Sequence, residues 1–260
     1  MIYKKQIFQC WASSPMEEHF ANDLRKKWSL TKYVDPYKPA LFFGWYLHQD
    51  FIMMQNHKAP FVMLWGGRDM TKQKIEAVNN LPNSYQIGYG WQSNILKHFN
   101  IKHKEVVVPI KSYDMFQPTN LGDKVYLYRG WLNAKNDYYH WDKMVKPLFN
   151  EFGEDKFIYT NGKDINYVYE NLYKKSFLYI KPNVRGGSTS MWELGHMGIK
   201  TVSNEQGDAP NVIPYSTIDD VIDIINEESK KIGTLQTDVA ETTRNFLDVG
   251  EKWLNINYYE

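Results

Sequence analysis

The chain has 260 residues, 43% hydrophobic and 16% aromatic, a composition that supplies one large or two modest cores and identifies a globular protein. Cys10 is the single cysteine, which excludes an intramolecular disulfide and a cysteine-based zinc cluster, and makes a reducing cytoplasm the expected compartment. The net charge of +1 conceals a split, because residues 1–112 carry 15 Lys+Arg against 8 Asp+Glu, and the excess reverses over the remainder.

The first ten residues, M-I-Y-K-K-Q-I-F-Q-C, contain no long apolar stretch. The most apolar segment, residues 40–54, is interrupted by His48, Gln49 and Asp50, so neither secretion nor a membrane span is expected. Residues 6–11 read as a strand that buries Cys10, and Pro15 marks the start of an amphipathic helix over residues 16–28. A strand at 41–43, a helix at 46–57 and a strand at 61–65 follow, the last running into Gly66-Gly67-Arg68-Asp69. Strands at 84–87 and 106–108 flank a helix at 91–99, and the polar stretch 111–123 reads as a linker.

A second series begins with a strand at 125–128 and the segment Arg129-Gly130-Trp131-Leu132-Asn133-Ala134-Lys135. It continues with a strand at 156–160, an Asn161-Gly162 turn, and helices at 165–174, 218–227 and 237–253. Such alternation implies α/β architecture, with mostly parallel sheets and ligand crevices at the carboxyl ends of strands.

Residues 177–204 are the most informative stretch: an apolar strand, a turn of small residues, a helix, and a β-branched strand. Gly186 and Gly187 let backbone approach a ligand, while Ser188, Thr189 and Ser190 offer hydroxyls and free N–H groups at the positive end of a helix, where a phosphate fits. Glu193, in the first turn, is placed to accept hydrogen bonds from a ribose. Equally, small residues at a helix start serve packing and capping, and an early Glu favours the helix dipole.

This stretch resembles the sugar-nucleotide motif of GT-B glycosyltransferases, most closely the retaining, glycogen-synthase-like group. The pattern there is Glu, seven residues, Glu, then Gly and a strand. Glu193 matches the second Glu and Gly198 the Gly, whereas Arg185 stands at the first Glu position. The resemblance implies two Rossmann-like domains: an acceptor-side domain at 1–112 and a nucleotide-sugar-binding domain at 113–236. The active cleft lies between them, and a helix over 237–260 crosses back to the first. It also implies a UDP- or GDP-sugar co-substrate, no permanently bound cofactor, and no metal. Arg129 and Lys135 correspond in part to the family's diphosphate-binding Arg and Lys. Gly162, Lys163 and Ile165 fall where the nucleobase is held.

Transfer to an acceptor hydroxyl requires a stabilised leaving diphosphate and a positioned acceptor. On the acceptor side, Asp69 and His48 are catalytic candidates, or else a turn residue and a packed helix residue. Arg185 is a candidate contact to the donor sugar or a phosphate. The basic first half implies an anionic acceptor: modified DNA, a lipid-linked sugar or an acidic glycan. Two alternatives share this architecture, a sugar-nucleotide 2-epimerase and a catalytically inactive nucleotide-sugar-binding protein. The oligomeric state is open.

Overall fold

The computed structural model describes residues 5–128, 141–159, 164–182, 189–204 and 208–260. The chain forms two compact units, Met1–Ser112 with Leu247–Glu260, and Tyr113–Phe246.

The first unit is built on a six-stranded sheet of order β2-β1-β3-β4-β5-β6, parallel throughout. Its strands are β1 (Gln9–Ala12), β2 (Thr31–Lys32), β3 (Ala40–Phe43), β4 (Phe61–Leu64), β5 (Ser84–Gly88) and β6 (His103–Glu105). The two central strands, β3 and β4, are apolar at every position because helices cover both faces. Alternate residues feed two cores. Leu41, Phe43, Val62 and Leu64 pack with Cys10 and with Leu24 of α2 (Ala21–Lys27). Ala40, Phe42, Phe61 and Met63 pack with Met54 of α3 (His48–Asn56), Ile75 and Val78 of α4 (Lys72–Asn79), and Leu96 of α5 (Trp91–His98). Cys10 lies in β1 and is fully buried, as its strand reading expected, and burial pushes its thiol up to about 12, away from the reactive thiolate form.

The second unit carries a five-stranded parallel sheet of order β11-β10-β9-β7-β8. These strands are β7 (Lys124–Leu127), β8 (Phe157–Ile158), β9 (Ser176–Ile180), β10 (Lys200–Val202) and β11 (Val212–Ile213). Around them lie α6 (Lys146–Phe152), α7 (Ile165–Asn171), α8 (Thr189–His196), α9 (Ile218–Ser229) and α10 (Thr237–Leu247). Gly198 takes φ +87° after α8, and the Ile199 N–H returns to the Leu194 carbonyl at 2.9 Å, a helix-closing turn that favours glycine.

Several expected boundaries shift. The single helix at 16–28 is two, α1 (Ser14–His19) and α2, separated at Phe20 with φ −137°. The sixth strand is His103–Glu105, and the apolar residues 106–108 lie beyond it, buried, with the Val106 N–H still donating to the Gly88 carbonyl of β5 at 3.2 Å. The last helix stops at Leu247, short of residue 253, ahead of Gly250 at φ +62°. It is the segment beyond it that belongs to the first unit, where Trp253 meets Trp28 edge-on at 5.1 Å.

His57, at the end of α3, lies among Tyr33, Phe42 and Phe61, with Nδ1 3.0 Å from the Tyr33 hydroxyl. Burial pushes its pKa down to about 4, below the ordinary value of 6.5. Between these values the unfolded chain takes up a proton that the folded chain refuses, so stability present above pH 6.5 is lost as pH falls toward 4. Urea unfolding across this range is expected to show that decline, and His57→Phe is expected to flatten it.

Candidate functional site

In an open parallel sheet, ligands bind beyond the carboxyl ends of the strands, where strand order reverses direction. In the first unit the reversal lies between β1 and β3, and in the second between β7 and β9.

At the first reversal, β1 ends at Ala12, just before Ser13, and β3 ends at Phe43, just before Gly44, and the loop after β4 brings Asp69 to the Trp45 N–H that follows β3. Asp69 is only 2% exposed. Its Oδ2 accepts from the Trp45 N–H at 2.8 Å and the Gly66 N–H at 3.2 Å, which ties the two loops together. Burial raises its pKa against the opposing effect of those N–H groups. Its Oδ1 and the Ser13 hydroxyl are buried and have no hydrogen-bond partner among the described residues. Lys74 Nζ donates to the Trp45 carbonyl at 2.6 Å and lies over the Trp45 ring, which stacks on Phe51 with centroids 4.4 Å apart.

His48 opens α3 and is exposed, so it is not the packed helix residue of the alternative reading. Asp50 was missed. Its Oδ2 accepts from the Tyr46 and Leu47 N–H groups at 2.9 and 2.7 Å, and its Oδ1 from Trp11 Nε1 at 3.2 Å. The signal available was a buried-position Asp three residues into a helix, an ordinary capping position.

At the second reversal, β7 and β9 lie side by side, with Leu127 opposite Ile180. The Tyr128 N–H continues the pairing onto the Ile180 carbonyl at 2.9 Å. Arg129 and Lys135 follow β7 in sequence, and Arg185, Gly186, Gly187 and Ser188 follow β9. All six lie outside the described residues, as do Gly162 and Lys163. Thr189 and Ser190 open α8, and Ser190 hydrogen-bonds the Tyr179 side chain. Glu193, on the same helix, is 4% exposed and its Oε2 accepts from the Tyr173 hydroxyl at 2.5 Å. Ile165 begins α7 and is 37% exposed; the Asp164 side chain caps that helix by accepting from the Asn166 and Tyr167 N–H groups.

No protein-family model matches the sequence, and neither does any curated protein. Solved structures do match in three dimensions. A sucrose-phosphate synthase from Thermosynechococcus elongatus superimposes with a TM-score of 0.53 at 11% identity, covering 80% of this chain and 69% of that one. Anabaena Alr3699/HepE, solved in complex with UDP and glucose, superimposes with a TM-score of 0.52 at 10% identity, covering 84% of this chain and 75% of that one. The chain has the GT-B fold.

In this GT-B chain, sequence reasoning overlooked the polar cluster beside β7 and β9. Tyr126 of β7 stacks on Tyr179 of β9 with centroids 5.0 Å apart, and Tyr126 also meets Tyr173 at 5.6 Å. Burial raises the hydroxyl pKa of all three, with the Glu193 charge adding to the effect. Lys181 directly follows β9 and is 3% exposed, with Nζ 4.0 Å from the Met191 sulfur on α8. A lysine directly after the apolar run Phe177–Ile180 was the visible signal, since charge is seldom buried there without purpose.

Proposed function

We propose that the chain is a glycosyltransferase that moves a sugar from a nucleotide-sugar donor, UDP- or GDP-linked, to an acceptor hydroxyl. The observation that carries this reading is the coincidence of Glu193 and the α8 start with the β7/β9 reversal of a GT-B unit. Ribose recognition falls to Glu193. The backbone of residues 186–189 and the Arg129 and Lys135 side chains neutralise the diphosphate, with Lys181 adding a cation at the end of β9. Gly162, Lys163 and Ile165 flank the base. HepE, whose structure holds UDP and glucose, supports UDP as the first donor to try. Transfer with retention and without a metal follows the group that the 177–204 motif resembles, with Arg185 meeting the donor in place of the usual Glu.

On the acceptor side, His48 is the open candidate, while the buried carboxylate of Asp69 suits a positioning residue better than a base. The first unit, with its C-terminal segment, holds 16 Lys+Arg against 11 Asp+Glu, which favours an anionic acceptor. No helix among the described residues is long and apolar enough to cross a membrane. A cytoplasmic site of action suits the lone buried thiol.

The test is a panel of UDP- and GDP-sugars, first alone and then with hydroxymethylated DNA, lipid-linked sugars and soluble glycans at two salt concentrations. Slow donor hydrolysis, and transfer that weakens steeply with salt, are expected. Exchange at C2 of the sugar would make the chain an epimerase, and binding without turnover an inactive module. Salt-insensitive transfer to a neutral glycan would remove the anionic acceptor.

A further inference from the structure

A recess of about 250 Å³ opens at the amino ends of β5 and β6, the opposite end of the first unit's sheet from Ser13, Gly44 and Asp69. It is lined in part by Asn79, Tyr85, Lys102, His103, Lys104 and Tyr259, and among the described residues no carboxylate lines it. Lys102 is exposed, and neither it nor Lys104 has a carboxylate partner among the described residues. Lys104 and Lys252 both lie over the Tyr258 ring, at 5.3 and 5.6 Å. Like charges gathered in this way repel, and an anion would relieve them.

Two nearby acids in the chain are committed elsewhere. Glu105 pairs with Lys97 and accepts from the Ser93 hydroxyl, and Glu260 is held by Lys5 at 2.9 Å. His103 is wall and not ligand, because Nε2 is hydrogen-bonded with Ser93 and Nδ1 with the Ile101 carbonyl. Tyr85 and Tyr259, with ring centroids 5.4 Å apart, form an apolar side, and the exposed Asn79 amide offers a donor and an acceptor. The volume is below the roughly 300–1,000 Å³ of pockets that enclose larger ligands, which suits a single ring.

We propose that this recess is an anionic-carbohydrate site, binding one sugar ring that carries a phosphate, sulfate or carboxylate. Lys102 and Lys104 take the charge, Asn79 a hydroxyl, and the tyrosine wall the apolar side of the ring. Its place at the amino ends of the strands makes it a second site, remote from the first unit's strand reversal, and it stands whether or not the chain transfers sugar. The same chemistry arrives as a free sugar phosphate or as one residue of an acidic glycan.

Calorimetric titration of the full chain with glucose 6-phosphate, glucuronate, glucose and inorganic phosphate tests it, with a glucuronate-containing oligosaccharide as a further arm. Binding of the charged sugars is expected, with glucose much weaker. Lys102→Gln with Lys104→Gln is expected to weaken the charged sugars about tenfold or more while leaving UDP affinity unchanged. Tighter binding of the oligosaccharide identifies a glycan anchor, and preference for glucose 6-phosphate a free-metabolite site. Absence of binding by either charged sugar, equal binding by the double variant, or phosphate binding as tightly as glucose 6-phosphate would overturn the assignment.

Discussion

Asp69→Ala is expected to destabilise the first unit by about 2–4 kcal/mol, because it leaves two part-buried backbone N–H groups without this acceptor. Those groups belong to Trp45 and Gly66, which the carboxylate joins at 2.8 and 3.2 Å. Asp69→Asn keeps an acceptor oxygen for both, and its cost is expected to be smaller, about 1–2 kcal/mol for the new amide donor. Urea unfolding separates the two variants. The pH dependence supplies a second readout. An acid whose folded pKa is raised weakens folding as pH climbs from its unfolded value through its folded value, and the Asn variant is expected to lack that component. Kinetics then distinguish positioning from proton abstraction: a positioning Asp69 predicts that Asp69→Asn retains transfer with an unaltered pH profile. Loss of transfer by several orders of magnitude in a stable Asn variant would make Asp69 the base.

Glu193→Ala is expected to weaken UDP or GDP binding by about 1–3 kcal/mol, roughly 5- to 150-fold, through loss of a buried charged acceptor. The geometry adds a companion variant. Tyr173 donates to Glu193 at 2.5 Å, so Tyr173→Phe removes the group that orients the carboxylate without removing the carboxylate. Its effect on affinity is expected to be the smaller of the two, about threefold to tenfold. Calorimetric titration of both folded variants measures this directly. An unchanged affinity in Glu193→Ala would end the ribose assignment, and the acid would then be a structural partner of Tyr173.

Much of the α/β plan is legible because it is written in nearest-neighbour chemistry. Residues 61–64 are apolar without interruption, so a strand covered on both faces is the local solution, and Gly66-Gly67 after it marks the loop that carries Asp69. Residues 189–196 carry the composition of a helix, and Gly198 closes it at φ +87°. Two of the strands at the sheet edges, β2 and β11, left no such trace. β2 is two exposed residues, Thr31 and Lys32, and β11 two half-buried ones, so each exists only because a neighbouring strand offers unpaired backbone.

The sequence by itself determined which segments become strands and helices over most of the chain, and that a Glu stands early in the helix after the small-residue turn. Only the tertiary structure decided the strand order, and with it the reversals at β1/β3 and β7/β9 that set where the candidate sites lie. It also decided that Asp69 is buried, that Tyr173 orients Glu193, and that the C-terminal return to the first unit, expected of a helix over 237–260, is made by residues 247–260. Periodicity reports the face a residue presents, which is a local property. Which element covers that face is settled by contacts between residues far apart in the chain, such as Trp28 with Trp253, and no local pattern encodes them.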